Sequence, residues 1–327
     1  MKTFDYVRPN DLDETFALLS AEGNSQTELL AGGTDLLPLM KNEINTPMRL
    51  VDLKRLEALP AGIVEQAGGV TLGALTTLAE IEKSVLLQER YPLLSKAAGL
   101  AATPQLRNMA TLGGNLLQRP RCWYFRNSQI PCWRKGASDC PAKEGENQFH
   151  ALFGDSPCVA VHPSDLASAL LALDATVRMQ SANGETTLPL ADFYALPTAA
   201  RRQETVLADD ELILDVVLSA QFADARSTYL KAMDRKVWAF ALVGVAAAVQ
   251  MADDRIIDLR IVLSGVAPIP WRVTAAEEVL RGQRVSDSLI ERAADSAVAN
   301  AQPLQNNGYK VPLARQLVRR ALRSTMR

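Results

Sequence analysis

Two paired-glycine loops constrain the fold of this chain more than any other feature of its sequence. In LLAGGTDLL (29–37) the glycines follow a strand pattern and precede a helix pattern, and TLGGNLLQ (111–118) repeats that arrangement. Glycine lets the backbone approach a ligand closely and adopt positive φ, so that successive N–H groups can point at a phosphate. A single loop of this kind is usually a simple turn. Two of them predict one pyrophosphate site gripped from both sides.

Neither loop matches the motif of a common nucleotide-binding fold. Both lack G-x-G-x-x-G spacing, and neither shows a clear βαβ pattern with an acidic residue about 20 positions on. A Rossmann site is therefore disfavoured. No lysine follows the glycines at Walker spacing, which argues against a nucleotide hydrolase.

The hydrophobic pattern predicts an α+β chain of two lobes and a C-terminal domain. Its 327 residues exceed one small domain, and a net charge of -2 gives no indication of a nucleic-acid or acidic-membrane surface. The predicted strands cover 3–8, 28–31, 49–53, 176–180, 211–219 and 256–267, and residues 63–74 have the pattern of a hairpin. The predicted helices cover 11–21, 36–42, 93–102 and 165–175, with one more starting at a capping box of Thr77 and Glu80. The apolar stretch 238–251 fits either a strand or a helix.

The two ends of the chain give few functional signals. The C-terminal run LARQLVRRALR predicts an amphipathic helix with solvated arginines rather than a nucleic-acid patch. No apolar run reaches the ~20 residues of a membrane helix. The N-terminal MKTFDYVRPND has no apolar export signal, so we expect neither a membrane span nor a signal of the chain's own.

All the cysteines of the chain lie in one short, otherwise polar segment. They are Cys122, Cys132, Cys140 and Cys158. A long chain without an export signal does not need disulfide staples, and clustered cysteines then more often mean metal or redox chemistry. No C-x-x-C pair exists, so zinc-ribbon and ferredoxin spacings both fail. Four thiolates suit a [4Fe–4S] cluster or a tetrahedral zinc ion, and two disulfides are a third alternative.

Two further motifs carry polar residues that allow two interpretations each. Ser164 and Asp165 begin a helix, where capping is the simple explanation and contact with a ribose or ribityl hydroxyl is the alternative. Lys231 or Lys236 precedes the apolar stretch and either faces a flavin ring or is solvated.

Taken together, these motifs resemble the FAD-binding subunits of the xanthine dehydrogenase, or molybdenum hydroxylase, family. The resemblance covers essentially the whole chain, and its motifs occur in the family's order. Within the family it is strongest to the [4Fe–4S]-containing flavoprotein subunits of periplasmic aldehyde oxidoreductases. The motifs are AGGTDL, ATLGGN (110–115), the PSDLA run (163–175), the Y-x-K…R…FALV pattern (229–243) and the C-terminal YKVPLARQLVRRAL.

The resemblance implies a fold and a division into domains. The expected fold is a two-lobed FAD-binding domain of the vanillyl-alcohol-oxidase (PCMH) type over residues 1–222, with lobes at about 1–54 and 55–222. A small α+β domain would follow over 223–327. The cysteine segment, about 119–160, would be an iron–sulfur insertion.

The resemblance also implies the cofactors and their residues. FAD would place its pyrophosphate against the first glycine loop. The residues carried over for FAD are Leu29, Leu30, Ala31, Gly32, Gly33, Thr34, Asp35, Leu36, Thr111, Gly113, Gly114, Asn115, Ser164, Asp165 and Lys231. The four cysteines would hold a [4Fe–4S] cluster, favoured over zinc and over disulfides. The neighbours that would shield this cluster from water are Trp123, Tyr124, Pro131, Trp133 and Pro141.

The implied function is that of an FAD- and [4Fe–4S]-carrying electron-transfer subunit in a heterotrimeric, molybdenum-dependent aldehyde oxidoreductase. Its partners would be a large molybdenum-cofactor subunit, a small [2Fe–2S] subunit and an external electron acceptor. No catalytic acid or base is expected on this chain. It would be periplasmic by co-export with a signal-bearing partner, and otherwise cytoplasmic. The alternatives are a stand-alone flavin oxidoreductase and a zinc-stabilised, non-catalytic binding module.

Overall fold

The first of three sheets is parallel and carries the first glycine loop. In the computed structural model, which describes residues 1–20, 26–66 and 68–326, β3 lies between β1 and β2. The strands and helices of this lobe are β1 (Asp5–Val7), α1 (Leu12–Ser20), β2 (Thr27–Leu30), α2 (Leu36–Lys41) and β3 (Arg49–Asp52). The first glycine loop therefore does lie in a parallel βαβ unit, contrary to the sequence expectation. Strands of three or four residues are too short to show that unit as a periodic pattern.

The second sheet is antiparallel, in the order β4-β5-β8-β6-β7. Its strands are β4 (Ile63–Gln66), β5 (Gly69–Gly73), β6 (Thr176–Ser181), β7 (Gly184–Pro189) and β8 (Leu212–Ser219). Its helices are α3 (Leu78–Lys83), α4 (Val85–Arg90), α5 (Pro92–Leu100), α6 (Pro104–Arg107), α7 (Leu112–Leu116), α8 (Trp123–Arg126), α9 (Asp165–Ala172) and α10 (Leu190–Phe193). The capping box is confirmed, since Glu80 N donates to Thr77 Oγ1 and Thr77 N donates to Glu80.

The third sheet is a four-stranded antiparallel meander backed by helices. Its elements are β9 (Arg226–Ala232), β10 (Val243–Ala252), β11 (Arg255–Ser264), β12 (Trp271–Arg272), α11 (Thr274–Leu280), α12 (Asp287–Ser296) and α13 (Lys310–Met326). The ambiguous apolar stretch is the strand β10. Every residue from Val243 to Val249 is buried, and a strand covered on both faces loses the alternation that would distinguish it from a helix.

Strand β10 joins the two largest hydrophobic cores. Val245 and Ala247 face a core shared with α11, α12 and α13, whereas Ala246 and Ala248 face the core of the second sheet and α9. The third sheet is therefore packed on both faces. Among the described residues, no helix is long and apolar enough to cross a membrane.

The C-terminal helix is amphipathic, as predicted, but its arginines are not simply solvated. Arg315 and Arg319 each approach Glu291 of α12 at 3.2 Å, and Arg323 lies 3.3 Å from Asp287. Because the side of α12 that faces α13 carries acidic residues, the arginines of α13 join the two helices through ion pairs.

Candidate flavin site and thiol cluster

The first glycine loop offers a run of unpaired backbone N–H groups. Among the described residues, no acceptor lies within hydrogen-bond distance of the N–H groups of Gly32, Gly33, Thr34 or Asp35. Gly33 has φ +68°, a left-handed conformation that glycine adopts without strain. Successive free N–H groups in such a loop form an anion-binding concavity, which suits phosphate oxygens.

Gly32 is required by the contact between the two loops. A Cβ at this position would lie 1.9 Å from the carbonyl oxygen of Met109, just before the second loop. A Cβ at Gly114, by contrast, would meet only the Thr111 side chain of the same loop within 4 Å. Gly32 thus allows the backbone of the first loop to contact the backbone just before the second loop. Gly114 leaves one face of the second loop uncovered.

The second glycine loop differs from the first because its N–H groups are already paired. Gly113 N donates to Ala74 O at 2.9 Å, and Gly114 N donates to Thr111 Oγ1 at 3.3 Å. Asn115 N donates to Thr111 O at 2.8 Å. The sequence predicted the same phosphate chemistry in both loops, but in the second loop the N–H groups of Gly113, Gly114 and Asn115 are already used. The second loop contributes its backbone shape and its side chains to the cavity wall.

A cavity of about 690 Å³ brings the two loops together. The predicted residues in its wall are Leu29, Ala31, Gly32, Gly33, Thr34, Asp35, Leu36, Thr111, Gly113 and Gly114. Leu30 and Asn115 are not among the residues that line it. A cavity of this size is in the range that holds cofactors. A smaller cavity of about 270 Å³ lies against Cys122, Pro163 and Leu242, and His162 lines both cavities.

Ser164 and Asn115 are held together beside these cavities. Ser164 Oγ donates to Asn115 Oδ1 at 2.5 Å and accepts from Ala167 N at 3.0 Å, so it caps α9 as expected. The cap links the helix directly to the second glycine loop.

Asp165 and Lys231 form a buried ion pair instead of lining either cavity. Lys231 Nζ lies 2.7 Å from Asp165 Oδ2 and also donates to Leu100 O, while Tyr229 Oη donates to Asp165 at 2.5 Å. Burial raises the pKa of Asp165, and Lys231 opposes that shift. The pair joins α9 to β9, and direct contact of either residue with the cofactor stays a prediction. Lys236, the other lysine considered, is exposed.

Asp35 binds the cysteine segment through arginines that sequence reasoning did not select. Its carboxylate lies 2.5 Å from Arg121 Nη1 and 2.8 Å from Arg126 Nη2, and it accepts from Arg119 N at 2.8 Å. The only signal for this contact was the run RPRCWYFR, which surrounds the first cysteine with three arginines. Two ion pairs and a hydrogen bond therefore join the first glycine loop to the cysteine segment.

The four cysteines come together in space as free thiols. Cys122 and Cys132 pack with Leu39 and Phe125, while Cys122, Cys140 and Cys158 pack around Trp133. No disulfide connects them in the structure. In the described part of the chain, no three His, Cys, Asp or Glu side chains already form an arrangement that would hold a metal ion.

The donors around the sulfur atoms nevertheless suit thiolates. Arg134 Nε lies 2.9 Å from Cys158 Sγ, and Ala160 N donates to the same sulfur at 3.4 Å. His150 Nε2 lies 3.2 Å from Cys122 Sγ. The hydrogen bond between Cys140 and Cys158 lowers the pKa of Cys140 and raises the pKa of Cys158, and burial raises the pKa of Cys122 to about 11. Hydrogen bonds to sulfur are the outer contacts that tune a thiolate-bound cluster, so these residues fit such a group.

The proposed shield around the thiols is only partly as predicted. Trp133 is buried, and Trp123 packs edge-on against His150 with ring centroids 5.5 Å apart. Pro131 is exposed to solvent and therefore shields nothing.

A large cavity whose wall carries a run of free N–H groups, set in an α+β fold of three sheets, is typical of a protein that binds a phosphate-containing cofactor. A family model described as the FAD binding domain in molybdopterin dehydrogenase matches residues 2–219. A second model, the CO dehydrogenase flavoprotein C-terminal domain, matches residues 228–325. The chain belongs to this family of FAD-binding subunits of molybdopterin dehydrogenases, and it is an oxidoreductase subunit.

Individual relatives match along nearly the whole chain. The chain is 40% identical to the aldehyde oxidoreductase FAD-binding subunit PaoB of Escherichia coli K12, over 97% of this chain and 96% of that one. It is 30% identical to the carbon monoxide dehydrogenase medium chain of Hydrogenophaga pseudoflava, over 98% and 96%. A solved structure of that organism's carbon monoxide dehydrogenase superposes with a TM-score of 0.79 at 29% identity, over 99% and 97%. The predicted α+β flavoprotein fold is thereby confirmed.

Proposed function

We propose that this chain carries FAD and a [4Fe–4S] cluster as the electron-transfer subunit of a heterotrimeric, molybdenum-dependent aldehyde oxidoreductase. A small subunit with [2Fe–2S] centres would deliver electrons from a large molybdenum-cofactor subunit, and an external acceptor would receive them. The observation that carries the proposal is the gathering of four free thiols beside the cavity of the glycine loops. The 40% identity to an aldehyde oxidoreductase subunit supports it.

The residues that would hold FAD follow from the free donors and the cavity wall. The N–H groups of Gly32 to Asp35 would bind phosphate oxygens, because no acceptor in the described part of the chain uses them. Thr111 and Gly114 would form the opposite wall, and Ser164 with Asn115 would fix its position. Arg121 and Arg126 would hold the first loop in place through Asp35.

The four thiols would hold the cluster, with Arg134 donating to Cys158. A flavin exchanges two electrons and an iron–sulfur cluster one, so a chain with both can divide electron pairs into single transfers. Zinc would fill the same four ligands but carry no electron. This chain's own residues would bind, orient and shield the two groups, while substrate oxidation would take place on the partner. The proposal places the chain in the periplasm by co-export with a signal-bearing partner, and otherwise in the cytoplasm.

The test is an anaerobic visible spectrum of the purified complex, with iron, sulfide, zinc and flavin measured on one sample. The count must first subtract the partner's [2Fe–2S] iron, for which a complex with Cys158→Ser in this chain serves as the matched reference. We expect a difference of four irons and four sulfides per FAD. FAD with zinc and no iron difference would overturn the cluster assignment. Absence of FAD from the intact complex would overturn the flavoprotein assignment itself.

A further inference from the structure

Arg134 is a buried arginine whose side chain contacts one of the four cysteine sulfurs. The side chain is 0% exposed, and its Nε donates to Cys158 Sγ at 2.9 Å. The backbone N–H of Ala160 donates to the same sulfur at 3.4 Å. A protonated thiol is only a weak acceptor, so two donors on one sulfur suit a sulfur that carries negative charge. Among the described residues, no other arginine or lysine hydrogen-bonds a cysteine sulfur.

The backbone around Arg134 is fixed beside a second cysteine. Residues Trp133–Lys135 form a short 3-10 helix directly after Cys132. The N–H groups of Lys135 and Ala137 both donate to Cys132 O, at 2.8 and 3.1 Å. Because the side chain of Arg134 reaches a sulfur 24 positions further along the chain, it joins the two ends of the cysteine segment.

A carboxylate opposes the charge at the far end of the Arg134 guanidinium. Glu204, whose side chain is 5% exposed, has its Oε1 2.5 Å from Arg134 Nη1, and Arg202 O accepts from the same nitrogen at 2.9 Å. Glu204 Oε2 also lies 3.5 Å from Arg119 Nε. One carboxylate thus faces two guanidinium groups, so it does not cancel both of their charges.

We propose that Arg134 is a positioning residue for the iron–sulfur cluster, which holds Cys158 in place and, opposed by Glu204, sets the reduction potential of that cluster. The inference rests on the proposed function, since it requires a cluster on the four cysteines. A reduced cluster carries one more negative charge than an oxidised one. A buried cation beside a cluster sulfur therefore favours the reduced form and raises the potential. Glu204 has the opposite charge and acts in the opposite direction.

The experiment compares R134M, R134K and E204Q in the assembled complex by a redox titration followed by electron paramagnetic resonance. We expect R134M to lower the midpoint potential of the cluster by about 59 mV or more, which is a ten-fold change in the equilibrium of a one-electron couple. E204Q should raise the midpoint potential, because it removes the anion that offsets Arg134. R134K, which keeps the charge, should stay closer to the wild type than R134M does.

Two controls separate this effect from a general loss of structure. K143Q removes an exposed charge from the same segment, where water and salt screen it, so the midpoint potential of the cluster should not change. The midpoint potentials of the partner's [2Fe–2S] centres should be the same in all variants. A merely structural role of the Arg134–Glu204 ion pair would not give shifts of opposite sign, because both substitutions break the same contact.

The outcomes distinguish the inference from the function on which it rests. Equal cluster potentials in R134M, E204Q and the wild type would overturn the inference, and so would shifts of the same sign in both variants. If R134M lost its cluster, E204Q would decide alone, since only an upward shift agrees with the inference. A wild-type complex with no iron beyond that of the partner's centres would overturn the proposed cluster itself.

Discussion

At the scale of single residues, the glycines show how one residue type serves two purposes. Gly33 adopts a left-handed conformation that exposes its neighbours' N–H groups, whereas Gly32 is required because Met109 O occupies the place of a Cβ. The sequence predicted a loop that approaches a ligand closely. It did not show that the first close approach is made by the protein's own backbone, because nothing local to AGGTDL indicates Met109.

Substituting Gly32→Ala should destabilise the protein by about 3 kcal/mol and abolish FAD retention, because the two loops must separate. Gly308→Ala is the matched control. A Cβ there meets nothing within 4 Å, so the change should stay within about 0.5 kcal/mol. Thermal melting and flavin content of the two purified complexes measure the difference. Equal stability and flavin content in both would contradict this role for Gly32.

At the scale of elements, the start of α13 fastens the end of the cysteine segment. Lys310, fully buried, donates from Nζ to Phe149 O, His150 O and Gly265 O at 2.9–3.0 Å. Asn307 Nδ2 donates to His150 O at 3.1 Å. The start of the C-terminal helix thus supplies hydrogen-bond donors to backbone carbonyl oxygens of an irregular segment, which has no regular ladder of its own to satisfy them.

Lys310→Met should lower the stability at pH 7 by about 1–3 kcal/mol, because carbonyl oxygens lose their donor inside the protein. Burial lowers the pKa of Lys310 from 10.5 to about 7. Between those values the unfolded chain binds more protons, so rising pH should stabilise the wild type relative to the variant. Melting temperatures of both complexes at pH 7, 8.5 and 10 test this. With the exposed Lys143→Met as control, parallel curves for Lys310→Met and wild type would exclude the effect.

At the scale of the whole molecule, the cavity of the glycine loops and the thiol cluster form one connected unit. Asp35 of the first glycine loop holds Arg121 and Arg126 of the cysteine segment, and His150 links that segment to Lys310 of α13. A change at this junction should therefore reach both cofactor sites.

Asp35→Asn should reduce both FAD affinity and iron content, because neutralising the carboxylate leaves two partly buried guanidinium groups without their anion. We expect a loss of at least ten-fold in FAD affinity and a measurable deficit of iron per complex. Asp139→Asn is the control: it is an exposed change in the same segment, and among the described residues the Asp139 carboxylate accepts a hydrogen bond from Ser138 alone. Loss of FAD with full iron would show that the two sites are independent.

The sequence by itself determined the α+β character, most strands and helices, the capping box and the two glycine loops. These features depend on neighbours within a few positions along the chain, where periodicity and turn chemistry act. The sequence also contains all four cysteines within one segment. The βαβ unit around Gly32 and the strand β10 escaped a firm prediction because short strands and doubly buried strands carry little periodic signal.

Tertiary structure alone decided which of these residues meet. The N–H groups of Gly32 to Asp35 have no acceptor among the described residues, whereas those of Gly113 and Gly114 are paired. Lys231 is paired with Asp165 inside the protein, and Asp35 binds arginines 86 and 91 positions further on. His162 is one polar residue before Pro163 in the sequence, yet in the fold its ring is buried and neither ring nitrogen has a hydrogen-bond partner among the described residues. Hydrogen-bond satisfaction is a property of the packed chain, because the partners are distant in sequence and adjacent only after folding.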